Sequence, residues 1–189
     1  IPTPEDIDLI LLTQGLPDHC HIPSLKKFPK KTNIICSKSA YKILDGLNFK
    51  SIHVMQPGQN LKFNEIEIEA TSGAAVPQIE NGYILETNEG SFYVEPHGFL
   101  DNTIKPRKLD AVITPTKNLE LPIVGPFVKG ADVIPNLVNL FNPSYILSST
   151  TGGDAKFSGI LNSFISLEEY KKALDCKIVE LNQMQSVVI

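Results

Sequence analysis

Continuous apolar runs separated by polar segments occupy the first third of the chain. Runs of this kind are typical of strands that are buried on both faces of a sheet. The pattern predicts three strands, 7–13, 32–37 and 51–55, and two intervening helices, 21–28 and 38–46. Ser37 is a suitable N-cap for the second helix, and Gly46 is a suitable residue to end it. Strands and helices are therefore expected to alternate over this part of the chain.

The middle of the chain instead alternates single apolar and polar residues, which is typical of half-buried strands. Residues 61–71 are predicted to form one such strand. Residues 81–87 and 91–96 flank Asn88-Glu89-Gly90, and this arrangement predicts a hairpin. The middle segment is therefore expected to be an antiparallel meander.

The last third returns to alternating strands and helices. Strands are predicted at 109–115, 144–149 and 177–181, helices at 131–141 and 166–174, and an apolar loop at 121–130. Pro135 is expected to interrupt the first of these helices. Ser166 and Glu169 form a capping box that predicts the start of the second. We therefore expect a mixed α/β fold with helices covering the sheet faces, and one domain over residues 1–189.

The composition narrows the classes of function. The chain has 189 residues and a net charge of −4, and its basic residues form no stripe of the kind that binds nucleic acid. No apolar run approaches the length of a membrane span. Three cysteines, Cys20, Cys36 and Cys176, are too sparse for a disulfide framework and indicate a reducing compartment rather than secretion. We expect a small-molecule substrate or ligand, with no nucleic acid and no membrane.

Acidic, imidazole and glycine residues follow three of the predicted strands, at the positions where α/β sheets place ligands. They are Asp18, His19 and His21 after the first strand, Glu95 and His97 at the end of the hairpin, and Gly152, Gly153 and Asp154 after strand 144–149. Imidazole and carboxylate donors together suit Zn, Mn or Fe. An alternative for the first group is a polar turn in which Asp18 caps the next segment.

Three stretches resemble parts of the metallo-β-lactamase fold. DLILLTQGLPDHCH resembles its buried strand and metal loop, T-H-x-H-x-D-H, with Asp18 and His19 on the D-H pair. NGYILETNEGSFYVEPHG and LDAVITP resemble the hairpin and the strand that come later in that fold. The combination of Q-G-L-x-D-H-x-H, E-P-H-G and G-G-D resembles the motifs of a divergent branch of hydrolase-like proteins from photosynthetic lineages.

The resemblance implies a four-layer αββα sandwich, whose usual first strands would precede residue 7. It also implies that the usual dinuclear zinc site is degraded. Gln14 and Leu16 stand where the first two His belong, and no His lies near 70–76 or 148–150. The residues that remain for a mononuclear site are Asp18, His19 and His97.

The resemblance implies a metal-dependent hydrolase of esters, lactones or phosphoesters. The cofactor would be one divalent ion, Zn, Mn or Fe, and Asp18 or Glu95 would serve as a ligand or as the general base. The expected substrate-binding residues are Gln14, His21, Gly152, Gly153 and Asp154. The alternative is a non-catalytic member of the fold that has lost its metal and binds a small molecule or a protein.

A third alternative is a nucleic-acid hydrolase, because some relatives of this fold cut RNA or DNA. The acidic net charge and the absence of a basic stripe argue against it. The likeness to photosynthetic lineages implies the cytoplasm or a plastid as the expected location.

Overall fold

The computed structural model describes residues 3–75, 77–121, 125–151, 166–169, 175–182 and 185–189. Its helices are α1 (Ile22–Leu25), α2 (Lys38–Leu44) and α3 (Gly130–Phe141), with a 3₁₀ turn at Pro4–Asp6. Its strands are β1 (Leu9–Leu12), β2 (Asn33–Cys36), β3 (Ile52–Val54), β4 (Asn60–Phe63), β5 (Ile66–Ser72), β6 (Asn81–Glu86), β7 (Ser91–Val94), β8 (Ala111–Thr114), β9 (Lys117–Leu121), β10 (Gly125–Lys129), β11 (Tyr145–Ser148), β12 (Ser166–Glu169) and β13 (Lys177–Glu180).

The strands form three sheets. The small parallel sheet has the order β1-β2-β3. The large mixed sheet has the order β13-β11-β8-β7-β6-β5-β4, in which the pairs from β13 to β7 are parallel and those from β7 to β4 are antiparallel. The third sheet is antiparallel, with the order β10-β9-β12.

Three apolar cores define four layers. One core lies between the small parallel sheet and helices α1 and α2, and it contains Ile34. A second lies between the small and the large sheet and contains Ile35 and Tyr83. A third lies between the large sheet and α3 and contains Ile84 and Phe141. Because neighbouring strand residues point to opposite faces, Ile34 and Ile35 enter different cores, as do Tyr83 and Ile84. The predicted αββα sandwich is confirmed.

The strand predictions for the first third and the hairpin are confirmed, and Ser37 caps α2 as predicted. The prediction of a single strand at 61–71 was wrong, because a turn with Asn64 at φ 52° separates β4 from β5. The prediction of a loop at 121–130 was wrong in part, because this segment contains the last residue of β9 and all of β10. Pro135 lies inside α3 without ending it, because the buried face of this helix stabilises the whole segment.

The helix predicted at 166–174 was wrong for its first four residues. Ser166–Glu169 is strand β12, which pairs with β9 over four residue pairs. Residues 170–174 lie outside the described residues. A capping box reports only local preference, and pairing with a strand distant in sequence can override it.

Ser37 offers a test of this local structure. Its fully buried hydroxyl accepts a hydrogen bond from the amide of Ala40 at 3.2 Å. We expect Ser37→Ala to lower the free energy of unfolding by about 1 kcal/mol, measured by urea denaturation. Ser51→Ala, at an exposed site, should change it by less than about 0.5 kcal/mol. Equal effects of the two substitutions would show that the cap does not stabilise α2.

The described helices are too short or too polar to cross a bilayer.

Candidate metal centre

Three segments distant in sequence meet at one edge of the sandwich. His19 follows β1, Glu80 directly precedes β6, and His97 follows β7. One potential ligand atom from each side chain lies within 4.8 Å of the other two. Strands β6 and β7 are antiparallel and pair Tyr83 with Val94, so continuing this register places Glu80 opposite His97. Imidazole and carboxylate donors are thereby brought together by the hairpin and the loop after β1.

The Glu80 carboxylate connects the members of this cluster. Its Oε2 atom lies 2.8 Å from Nδ1 of His97, and its Oε1 atom accepts a hydrogen bond from Nε2 of Gln14 at 3.2 Å. Oε1 is also 3.6 Å from Nδ1 of His19, which contacts the Thr13 hydroxyl at 3.0 Å. The two imidazole rings are stacked, with centroids 4.9 Å apart. From a fully buried position, Glu80 thus has a hydrogen bond to the imidazole of His97 and lies close to that of His19.

The electrostatics of the cluster follow from burial and from this pairing. Burial raises the pKa of Glu80, but the hydrogen bond and charge of His97 outweigh it, so the net pKa is lowered. Burial lowers the pKa of His97, and the partnership with Glu80 more than reverses that effect. Burial also lowers the pKa of His19, and there it dominates. The pKa values of His97 and His19 are thus shifted in opposite directions, because only His97 has a hydrogen bond to the Glu80 carboxylate.

Glu95 is a second buried carboxyl beside Glu80. Burial and then the negative charge of Glu80 raise its pKa. Its Oε2 atom accepts hydrogen bonds from the backbone amides of His97 at 3.2 Å, Phe99 at 2.8 Å, and Gly98. The carboxyl therefore shapes the loop that presents His97.

Two buried acceptor atoms near the cluster have no hydrogen-bond partner among the described residues. They are Oε1 of Gln14 and Oε1 of Glu95. Buried polar atoms are normally satisfied, so such exceptions often indicate an ion or a water. Two unpaired acceptors, two imidazoles and a buried carboxylate are a donor set that fits a divalent cation.

The loop that carries His97 is fixed from its outer side. The His97 carbonyl accepts a hydrogen bond from the Lys129 amide at 2.8 Å, and the Pro96 carbonyl accepts one from the Thr150 hydroxyl at 2.8 Å. The partly exposed ring of Phe127 meets the His97 ring edge-on, with centroids 5.7 Å apart. Strand β10 of the third sheet thus places an aromatic ring against one side of the metal centre.

The structure brings some of the predicted site residues into this cluster and leaves others apart. Asp18 is 71% exposed, and its Oδ2 atom lies 3.5 Å from Nε2 of His19, at the rim. Gln14 contacts Glu80. His21 is exposed, precedes α1 and contacts the Ser24 hydroxyl at 2.8 Å. Gly152, Gly153 and Asp154 lie outside the described residues.

Glu80 is the member that the sequence analysis missed. The predicted hairpin came close to indicating it, because pairing residue 87 with residue 91 sets residue 80 within one position of His97. The observed register, in which Glu86 pairs with Ser91, places the two opposite each other. Cys20, between the two His of the loop, is buried, and burial raises the pKa of its thiol. A buried cysteine of this kind is unsuited to act as a nucleophile.

Comparison with known proteins identifies the family. The model of a family described as a beta-lactamase superfamily domain matches residues 1–149. The chain belongs to this family. The resemblance inferred from the metal loop and the hairpin is therefore confirmed, and the αββα layers are those of the metallo-β-lactamase fold. No curated protein matches the chain in sequence.

Solved structures share this fold at low sequence identity. The isothiocyanate hydrolase from Delia radicum gut bacteria is 15% identical with a TM-score of 0.59, and the match covers 76% of this chain and 62% of that one. A possible metal-dependent hydrolase from Veillonella parvula is 17% identical with a TM-score of 0.58 and the same coverage, 76% and 62%. A metallo-beta-lactamase fold protein from Bacillus subtilis is 13% identical with a TM-score of 0.60, covering 78% and 66%. The chain thus spans less than two thirds of the length of each of these structures.

Proposed function

We propose that this protein is a metal-dependent hydrolase whose single divalent ion is held by His19, Glu80 and His97. The observation that carries the proposal is the pair of buried carboxyls, Glu80 and Glu95, which are 0% and 1% exposed. Among the described residues, Lys and Arg form no ion pair with either of them. A buried carboxylate is strongly unfavourable without compensating charge or hydrogen bonds. His97 supplies part of this compensation for Glu80 and backbone amides supply part for Glu95, and a divalent ion would supply the remainder.

The donor types narrow the choice of metal. Two imidazoles and one carboxylate suit Zn, Mn or Fe and leave positions open for water or substrate. When bound, such an ion supplies Lewis acidity and lowers the pKa of a coordinated water. Zn is the simplest choice for hydrolysis, because it supplies this acidity without redox chemistry.

The residues around the cluster have separate roles in this proposal. Asp18 lies at the exposed rim, where a carboxylate can accept a proton from an attacking water. Glu95 holds the His97 loop through three backbone amides, a structural role that leaves Asp18 as the better candidate base. Phe127 excludes water from one side of His97.

The substrate class that we propose is a small ester, lactone or phosphoester. The family match and the hydrolase neighbours support hydrolysis of a small molecule. Gln14 would contact the substrate from within the cluster. His21, Gly152, Gly153 and Asp154 remain proposed contacts from neighbouring loops.

Replacing His19 with Ala tests the proposal directly. We expect His19→Ala to weaken metal binding by about 100-fold or more and to remove hydrolysis of lactone and phosphoester test substrates at the same time. His53→Ala is the matched control, because His53 is exposed on β3, away from the cluster. Elemental analysis after dialysis measures the metal. Hydrolysis that survives in His19→Ala protein without metal would refute the proposed mechanism.

A second candidate function is binding without catalysis. The observation that favours it is that both Glu80 oxygens already have partners, His97 on one side and Gln14 on the other. Such a network can persist without an ion. This alternative predicts that the purified protein takes up neither Zn nor Mn, and that it retains a small molecule or a protein instead.

A further inference from the structure

A groove separate from the metal centre lies between α2 and residues 77–80, and we call it the α2 groove. Its volume is about 510 Å³. Six residues line it: Lys38, Ser39, Lys42, Ile43, Gln78 and Ile79. Pockets of this volume commonly hold small molecules.

The charged residues that line the α2 groove are both basic. Lys38 and Lys42 are four residues apart in α2, so their side chains share one face of the helix. Neither forms an ion pair with a described residue, and the described lining includes no acidic side chain. Two ammonium groups in the same groove, without an ion-pair partner among the described residues, favour the binding of an anionic ligand.

The other wall of the groove is apolar. The side chain of Ile79 is 62% exposed, although it is flanked by the half-buried Gln78 and the fully buried Glu80. Ile43 is half-buried on the same side of α2 as the groove. An exposed isoleucine beside a second apolar side chain and two cations fits a ligand that has both an alkyl part and an anionic group.

Hydrogen bonds fix this wall in place. The Ser39 hydroxyl donates to the Ile79 carbonyl at 2.7 Å and accepts from the Gly15 amide at 3.3 Å. A Cβ atom on Gly15 would lie 2.5 Å from the Ser39 carbonyl oxygen, so α2 and the loop after β1 are in close contact. A site that is already ordered loses less entropy when a ligand binds.

We propose that the α2 groove binds a small amphipathic anion, such as a short-chain carboxylate. Lys38 and Lys42 contact its anionic group, and Ile43 and Ile79 contact its alkyl part. This inference is independent of the proposed hydrolysis, because it concerns binding at residues outside the metal cluster. Gly15 and Ile79 are chain neighbours of Gln14 and Glu80, so an occupied groove lies directly beside the metal centre.

The probe that tests the inference is hexanoate, with the neutral hexanamide as its isostere. Titration calorimetry should give a Kd for hexanoate of about 1 mM, and hexanamide should bind at least about tenfold more weakly. The NMR signals of the Ile43 and Ile79 methyl groups should shift as hexanoate is added. These measurements need no enzymatic activity, so they remain valid if the hydrolase proposal fails.

Two double variants complete the test. Lys38→Met with Lys42→Met should weaken hexanoate binding by about tenfold, because it removes both charged contacts. Lys26→Met with Lys27→Met is the matched control, since it removes the same charge from exposed sites outside the groove. Equal binding of hexanoate and hexanamide, equal effects of the two double variants, or no binding of hexanoate would each overturn the inference. Binding to phosphatidylserine vesicles that is lost in the groove variant would also overturn it, because the ligand would then be a membrane surface.

Discussion

Replacing Glu80 with Gln is expected to abolish stoichiometric metal binding while leaving the fold intact. The substitution keeps the size of the side chain but removes the only carboxylate within the group formed with His19 and His97 among the described residues. We expect metal affinity to fall by about 100-fold or more. The free energy of unfolding of the metal-free protein should be unchanged or higher, because a buried charge next to Glu95 is removed. Equilibrium dialysis with elemental analysis, followed by urea denaturation, measures both quantities.

Asp18→Asn is the informative comparison for this experiment. Asp18 lies 3.5 Å from Nε2 of His19 but is largely exposed. If Glu80 supplies the carboxylate ligand and Asp18 acts as the base, Asp18→Asn protein should keep its metal and lose hydrolysis. A metal content that falls in Asp18→Asn protein and stays unchanged in Glu80→Gln protein would reverse these two assignments.

Gly98→Ala is expected to have the largest effect on stability among single substitutions near the centre. Gly98 has φ 79°, and a Cβ atom there would lie 2.7 Å from the carbonyl carbon of Lys129. An alanine at this position would have to adopt a left-handed backbone conformation and would displace the neighbouring backbone. Together, these two effects should lower the free energy of unfolding by about 2–5 kcal/mol. Because Gly98 directly follows His97, metal affinity should fall as well. Thermal and urea denaturation, with and without added Zn, measure the change.

Gly46→Ala separates the effect of the backbone angle from the effect of the steric clash. Gly46 has almost the same backbone angle, φ 78°, but a Cβ atom added there would meet no atom within 4 Å. We expect a loss of about 1–2 kcal/mol from the backbone angle alone and no change in metal affinity. Equal losses in the two variants would show that the contact between the His97 loop and the start of α3 is not tightly packed.

Much of the fold could be predicted because its signals are local. Strands β1 and β2 are visible in the sequence as apolar runs, and Ser37 and Gly46 flank α2. The failures concern pairing between distant segments. Strand β12 forms against β9, and nothing within residues 166–169 indicates that partner. Residues 121–130 appear loop-like because Pro and Gly are frequent there, yet β10 pairs with β9 around a bulge near Pro126.

The candidate site was also predictable only where its signals are local. Histidines that follow strands are visible in sequence, so His19 and His97 could be selected without a structure. Glu80 lies in an unremarkable acidic position before a strand, and only the register of the hairpin places it opposite His97. Its complete burial depends on packing that sequence patterns do not report.

Metal stoichiometry of the wild-type protein is the most direct test of the central claim. The protein should be purified without a His tag and without added metal, dialysed, and subjected to elemental analysis before and after incubation with Zn and Mn. The account predicts about one ion per chain, held by His19, Glu80 and His97. A protein that contains no metal even after both incubations would contradict it, and the cluster would then be a hydrogen-bonded network without a catalytic ion.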